Sequence, residues 1–320
     1  MAARRTGDGA DDASTPVSDG SSARPRYPER GGIDVFDSLL VRQPIVEGQT
    51  QAVRDALADW ADDNADGDVR TLLPLEGVTL VTLFLDDGEF GWTGADDAGN
   101  DSRQGDALLW YVEVADDDID EWARPDATIR SVSPLFERGL TDLLAEEATV
   151  HVGGRGDHRY VTHVTNPYRQ ERYADTVGRS LIAPVAGDDV PIPVEIVSLA
   201  VKAGLTSTLV ARAVDLVNWL KRFERVQSWA RTETQTVEAE AMYTESLLLE
   251  SVGDRQVVHY YMETEDMDRL YDAFDETDDW EARFTEWVMQ RVLVNPETFL
   301  EPPLETDCEV LLHAVDPERP

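Results

Sequence analysis

Apolar residues fall in short runs separated by turn-forming residues, with amphipathic stretches between them. Runs over 34–45, 107–115, 194–202, 242–250, 257–265 and 308–315 have the length and β-branched, aromatic content of strands. The stretch 69–85 is β-rich with a break at Pro74, and 150–165 reads as a strand turning at Gly153-Gly154. Residues 49–64 repeat with helical period, placing Val53, Ala56, Leu57 and Trp60 on one face. A longer helix is predicted over 207–239, where Leu209, Ala213, Leu216, Leu220 and Phe223 form one stripe. Helix interrupted by Pro125 and Pro134 is predicted within 118–145. A second broken helix is predicted over 267–293, with Trp280, Phe284, Trp287 and Arg291 on one face. Residues 86–105 are acidic and glycine-rich and read as a hairpin loop. The order is β-α-β-β-α-β, twice.

The halves also repeat in sequence. Val161-Thr-His-Val-Thr-Asn-Pro-Tyr-Arg169 recurs as Leu311-Leu-His-Ala-Val-Asp-Pro-Glu-Arg319, and Leu108-Leu-Trp-Tyr-Val-Glu-Val-Ala-Asp116 recurs as Val258-His-Tyr-Tyr-Met-Glu-Thr-Glu-Asp266. Both matches stand 150 positions apart. Ser38-Leu-Leu-Val-Arg42 matches Ser198-Leu-Ala-Val-Lys202 at an offset of 160. The expected fold is α+β: a tandem duplication of a ferredoxin-like unit, two antiparallel sheets packed face to face as an intrachain dimeric α+β barrel. Each four-stranded sheet carries helices on one face, so its other face needs a cover, and a second copy supplies one. The expected boundaries are a disordered tail at 1–32, a first module at 33–169, a linker at 170–193 and a second module at 194–320. The tail is Gly, Ser, Asp, Arg and Pro, too poor in large apolar side chains to offset its chain entropy.

Residues 194–319 resemble an uncharacterised, largely haloarchaeal family of small α+β proteins. The resemblance rests on Glu240-Ala-Met-Tyr-Thr-Glu-Ser-Leu, on the run from His259 to Asp266 and on His313-Ala-Val-Asp-Pro-Glu-Arg319. The first half departs further, lacking the Met-Glu-Thr-Glu run. The family implies a dimeric α+β barrel-like fold and no particular activity.

Strand alternation sorts the candidate chemistry. Val258, Tyr260 and Met262 oppose His259, Tyr261 and Glu263. Val310, Leu312 and Ala314 oppose Leu311, His313 and Val315. Leu199 and Val201 oppose Ser198, Ala200 and Lys202. The wholly apolar sets should face helices, and the mixed sets should face the space between the sheets. Ser198, Lys202, Tyr261, Glu263 and His313 therefore form one candidate ligand-binding surface. Ser38, Arg42, Tyr111, Glu113 and His163 form its match. In ferredoxin-like order the first strand lies between the third and the last, which holds Glu263 about 10 Å from His313. Lys202 should then stand nearer to Glu263 than His313 does, giving Glu263–Lys202 and Glu113–Arg42 ion pairs. Glu beside His and a cation can act in acid–base chemistry; the same groups also serve as structural ion pairs.

Composition narrows the function classes. The net charge is -37, and Lys202 and Lys221 are the only lysines. Such a chain repels itself at low ionic strength, and molar salt shortens the screening length to about 3 Å. The acidic balance fits a salt-accumulating cytoplasm. It offers no Lys/Arg-rich stripe for nucleic acid. No apolar run reaches the ~18 residues of a membrane span, and Arg4-Arg5 is not followed by an export signal's apolar segment. Cys308 is the only cysteine, so neither an intramolecular disulfide nor a thiolate cluster forms. No metal site is expected: His151 and His158 flank a turn without a third ligand, and the carboxylate runs lack calcium-loop spacing. Gly153-Gly-Arg-Gly156 is not a phosphate loop. Trp60, Trp219, Trp280 and Trp287 sit on apolar stripes and read as core rather than as a cofactor site. No cofactor is expected. The candidate partner is a small molecule, and the chain is a monomer with pseudo-dimeric modules or a homo-oligomer. Three function classes remain: a non-catalytic barrel module, an assembly component without a pocket, and a cofactor-poor monooxygenase or haem-handling enzyme by fold analogy.

The salt reading has a direct check. The melting temperature, followed by circular dichroism, should rise between ~0.1 M and ~3 M salt, because screening relieves self-repulsion. An unchanged melting temperature over that range would count against it.

Overall fold

The strand-forming runs pair into two antiparallel sheets in the computed structural model, which describes residues 36–87, 105–115, 125–145, 150–152, 159–166, 169, 181–182, 192–202, 242–252, 255–264, 267, 289–296, 308–316 and 319. The strands are β1 (Phe36–Pro44), β2 (Val78–Asp86), β3 (Ala107–Ala115), β4 (Val150–Val152), β5 (Arg159–Thr165), β6 (Leu181–Ile182), β7 (Val194–Ala200), β8 (Met242–Val252), β9 (Arg255–Thr264) and β10 (Cys308–Val315). One sheet has the order β4-β1-β3-β2-β10-β6, and the other has β5-β8-β9-β7. The fold class is thus α+β with two antiparallel sheets. The predicted tail lies outside the described residues, as do the helix over 207–239 and most of 267–293.

The helices α1 (Thr50–Asp63), α2 (Val69–Leu72) and α3 (Pro125–Val132) belong to the first sheet's side. The helical period places Val53, Leu57 and Trp60 in the core that also contains Leu39, Val41, Leu83 and Trp110. Burying one such side chain contributes roughly 1.5–3 kcal/mol. Residues 69–72, expected as part of a strand, are a short helix instead. Asp68 accepts hydrogen bonds from the backbone N–H groups of Arg70 and Thr71, and Thr71 answers with its own side chain to the Asp68 N–H. That reciprocal cap outweighs the β-propensity of the valine and leucines behind it.

Three further expectations are corrected. The run 150–165 is not one hairpin: β4 pairs with β1, whereas β5 pairs with β8 in the other sheet. The last strand of each half does not lie beside its own first strand. β10 pairs with β2, and β5 pairs with β8, so each sheet is extended by a strand from the other half of the chain. The presumed linker also contributes structure, since β6 pairs with β10. An edge strand leaves a row of unpaired backbone groups, and exchange covers the β2 and β8 edges in one move.

The inter-sheet core holds Leu40, Leu80, Phe84, Leu109, Ile196, Leu248 and the stacked Tyr111 and Tyr261. Val197, Leu199, Val258, Tyr260 and Met262 pack on the opposite face of the second sheet. Alternation sorts these faces except across register shifts, which occur in β2 between Val78 and Leu80, in β8 between Met242 and Thr244, and in β5 and β10. The register of β10 shifts between Val310 and Leu312. An extra residue reverses inside and outside beyond it. Val310 therefore packs between the sheets, while Leu312 and Ala314 join the helix-side core. β5 carries a matching shift between Tyr160 and Thr162.

Because each sheet borrows a strand from the other half, neither half is complete alone. Calorimetric unfolding should show one transition with matching calorimetric and van't Hoff enthalpies. Two resolved transitions would show that the halves unfold separately.

Candidate functional site

β3 and β9 present corresponding residues to the space between the sheets: Tyr111 and Glu113 from one, Tyr261 and Glu263 from the other. The two phenol rings stack at the centre, with centroids 3.5 Å apart and planes 9° apart. The Tyr111 hydroxyl meets Ser246 Oγ at 2.6 Å, and Ser246 meets His163 Nδ1 at 2.7 Å. His163 Nε2 lies 3.8 Å from Glu113. The other side repeats the chain. Tyr261 meets Thr82 Oγ1 at 3.3 Å, Thr82 meets His313 Nδ1 at 2.9 Å, and His313 Nε2 lies 3.5 Å from Glu263.

Two arginines complete this end. Asn166 and Asp316 begin turns in which the Arg169 and Arg319 N–H groups donate back to their carbonyls, at 3.1 and 2.9 Å. Asn or Asp followed by Pro favours such a turn. The turn sends each guanidinium inward. Arg169 donates to both oxygens of Glu113 at 3.0 and 2.7 Å. Arg319 donates to Glu113 at 3.2 and 2.9 Å and to Glu263 at 3.0 and 2.9 Å. Thr244 accepts from both arginines, and Thr79 donates to Glu113. Glu113, Glu263, Tyr111 and Tyr261 are fully buried. These groups therefore do not meet bulk water.

Burial opposes ionisation of Glu113, but Arg169, Arg319 and His163 outweigh it and hold the carboxyl well below its ordinary range. Burial likewise opposes the Glu263 charge. Arg319, then the His313 hydrogen bond and charge, prevail and lower that pKa too. Burial and the Glu113 charge push the Tyr111 phenol up, and burial with Glu263 does the same for Tyr261. Burial and the neighbouring Arg319 lower Arg169. Two carboxylates and two guanidiniums balance in charge.

The interior's opposite end is built differently. Arg42 is fully buried and pairs with Asp86 and with Glu250, whose Oε1 lies 3.1 Å from Arg42 Nε. Burial disfavours its charge; Glu250 and then Asp86 more than compensate and raise its pKa. Glu250 Oε2 lies 2.6 Å from His259 Nε2, and His259 Nδ1 lies 3.0 Å from Ser198 Oγ. Ser198 is half-buried.

Of the sequence candidates, Tyr111, Glu113, His163, Tyr261, Glu263 and His313 meet in the first network. Arg42 and Ser198 belong to the second. Lys202 belongs to neither: its Nζ donates to the Gln290 and Arg291 carbonyls at 3.2 Å each. The expected Glu263–Lys202 and Glu113–Arg42 pairs are not formed, and His313, not Lys202, stands beside Glu263. His313 reaches Glu263 because β10 lies in the opposing sheet; for Lys202 and Arg42 the reason is register. Arg42 faces Leu109, and Ser198 faces His259. Leu109 and His259 correspond in the third-strand match, so Ser198, not Lys202, occupies the place of Arg42. The short first-strand match was four residues out of step, which preserves the face but moves a residue about 13 Å along the strand. Sequence reasoning missed Arg169, Arg319, Thr82, Ser246, Asp86, Glu250 and His259 as site residues. Arg169 and Arg319 had a signal, since both end the repeated motif.

Among the described residues, no group of three or more His, Cys, Asp or Glu side chains is arranged to hold a metal ion. No helix among them is long and apolar enough to cross a membrane. No protein-family model matches the chain, and no curated protein sequence does. Three solved structures are similar at low identity. A putative monooxygenase of Fusobacterium nucleatum is 7% identical, with a TM-score of 0.39 over 88% of this chain and 92% of that one. A putative monooxygenase of Lactobacillus acidophilus is 9% identical, with a TM-score of 0.36 over 88% and 96%. An anthrone oxidase-like protein is 9% identical, with a TM-score of 0.33 over 88% and 92%.

The buried charges make two predictions. Arg319→Ala removes the guanidinium that bridges Glu113 and Glu263, leaving Arg169 on Glu113 and His313 beside Glu263, and should cost about 3–5 kcal/mol by urea unfolding at neutral pH. Because both glutamates have depressed folded pKa values, their contribution is complete above the unfolded carboxylate value of about 4.3 and falls away below it. Stability should thus decline on acidification from about pH 5, and Glu113→Gln should flatten that decline. A variant with the parent's acid profile would show that Glu113 does not carry it.

Proposed function

We propose that the chain is a tandem duplication of one β-α-β-β-α-β unit, closed on itself as an intrachain barrel of the dimeric α+β type. In this reading it is a small-ligand-binding module of a salt-accumulating cytoplasm. The matching register shifts in β5 and β10 and the paired Tyr, Glu, His and Arg positions support the duplication. The acidic, lysine-poor composition supports the habitat and the haloarchaeal family resemblance.

The two ends of the interior divide the work. The Glu113–Glu263 end is closed by its own charges and holds the sheets together. The Arg42 end is where a ligand enters. The observation that carries this assignment is the half-buried residue Ser198, whose hydroxyl connects through His259 and Glu250 to the fully buried Arg42. A polar chain that runs from a half-buried serine to a buried cation suits a small polar molecule with an oxygen acceptor.

The test is a thermal-shift screen of polar metabolites. A ligand present at about 100 times its dissociation constant stabilises the folded state by about 2.7 kcal/mol. Ser198→Val should remove most of the shift, and Glu263→Gln should leave it in place once its own lower baseline is subtracted. Equal shifts in the parent and Ser198→Val would move the ligand elsewhere, and loss in Glu263→Gln alone would place it at the sealed end.

A further inference from the structure

Ser198, His259 and Glu250 stand in the order of a nucleophile, a base and the acid that orients it. Ser198 Oγ lies 3.0 Å from His259 Nδ1, and His259 Nε2 lies 2.6 Å from Glu250 Oε2. The residues come from three adjacent strands. β9 pairs with β7 and with β8, which puts His259 beside Ser198 on one side and Leu248 on the other. Glu250 is two residues beyond Leu248 and so on the same face.

The hydrogen bonds select one tautomer. Arg42 holds Glu250 in an ion pair, and a carboxylate only accepts. His259 Nε2 must then be the donor to Glu250. In the neutral imidazole, Nδ1 is left as an acceptor, and Ser198 donates its hydroxyl proton to it. This is the arrangement in which a serine oxygen gains nucleophilic character. The two ring nitrogens exchange their usual places, but they are conjugated, and the relay of serine to base to acid is unchanged. Recognition of such a site rests on geometry and roles rather than on order in the chain.

Exposure follows the same gradient. His259 and Glu250 are fully buried, whereas Ser198 is half-buried. The base and its acid are shielded, and the serine is the least buried of the three. The repeat sharpens the point. At the sealed end both halves supply Tyr, Glu, His and Arg. Here the halves differ: Arg42 stands opposite Leu109 where Ser198 stands opposite His259. Asp86 and Glu250 are both acidic, yet only Glu250 has a histidine to orient.

We propose that Ser198 is an acyl-accepting nucleophile with His259 as its base and Glu250 as the positioning residue, and that this end of the interior hydrolyses small carboxylic esters. The proposal rests on the small-ligand reading of the Arg42 end and adds a reaction to it. Ser198 Oγ bonds to the ester carbonyl carbon while its proton passes to His259 Nδ1. The carbon–oxygen bond to the alcohol then breaks, and the alcohol leaves with that proton. Water attacks the acyl-serine and gives a proton to His259. The carboxylic acid leaves as the proton returns to Ser198 Oγ. Ester and water become acid and alcohol, with no other reactant.

The experiment incubates the full chain in high salt with p-nitrophenyl acetate, follows nitrophenolate release and maps the acetyl group by mass spectrometry of peptides. The expected result is acetylation at Ser198, absent in Ser198→Ala and retained in Cys308→Ser. The latter controls for the thiol 3.9 Å away. Ser198→Ala removes one half-buried hydroxyl and is expected to fold, which circular dichroism checks. Glu250→Gln should slow acylation by about 10²-fold or more at neutral pH and shift its pH profile, an effect that loss of packing alone would not produce. Acetylation at Cys308 or Lys202, or none, overturns the proposal. Binding of the amide analogue 4-nitroacetanilide, read by ligand-observed NMR on the parent chain, separates the two readings. Amide binding without acetylation leaves the small-ligand site and removes the nucleophile. Neither binding nor acetylation removes the nucleophile and counts against the site as well.

Discussion

Two carboxylates buried between two sheets must be matched by two cations, and that requirement organises the molecule. Glu113 sits on β3 and Glu263 on β9, in different sheets. Arg319 follows β10, in the first sheet, and bonds to both of them. Arg169 follows β5, in the second sheet, and bonds to Glu113 in the first. The strands that exchange sheets are the ones that deliver the arginines. Exchange and ion pairing are therefore a single device: the added strand covers an open edge, and the turn after it places a charge at one end of the space between the sheets. A buried ion pair often adds little net stability compared with apolar packing, yet loss of one partner is expensive. The network's effect is to make one arrangement of the sheets much better than its neighbours.

The Tyr111–Tyr261 stack continues that logic into the middle of the inter-sheet core. Both hydroxyls need partners because they are buried. Each finds one on the opposite sheet, Ser246 for Tyr111 and Thr82 for Tyr261. Beyond the tyrosines the interior becomes apolar, with Leu40, Leu109, Phe84, Leu248 and Ile196, and then polar again at Arg42. The two polar ends are separated by that apolar layer. One is symmetric and satisfied from within, the other asymmetric and graded in exposure. Symmetric buried charge serves closure. The asymmetric end is the one to which the proposed chemistry is assigned.

Much of the candidate site was legible before the structure. Alternation put Tyr111, Glu113, Tyr261, Glu263 and His313 on inward faces, and they lie there. The bulge at Leu311 changed the face of Val310 and left His313 inward, because the shift falls between them. What alternation could not supply was position along a strand. The first-strand match was slipped by four residues, an even number, so every face stayed right while Lys202 was moved into the barrel and Ser198 was assigned to the wrong end. The arginines were hidden for another reason. Arg169 and Arg319 follow their strands, and strand periodicity does not speak for residues in turns.

The sequence by itself determined the strand-forming runs, the first helix with its Val53, Leu57 and Trp60 face, the inner and outer faces of strand residues away from the register shifts, and the recurrence of Tyr, Glu, His and Arg. All of these are local properties, written within a few residues by periodicity and turn chemistry. The tertiary structure alone decided which sheet each last strand joins and whether 69–72 is strand or helix. It also decided which cation meets which carboxylate, and that Ser198, His259 and Glu250 converge. Those outcomes depend on edge pairing and charge balance between segments far apart in the chain: Arg42 and Glu250 are separated by 208 residues, Thr82 and His313 by 231. Local pattern assigns a side chain to a face. Only closure of the sheets against each other determines what it finds there.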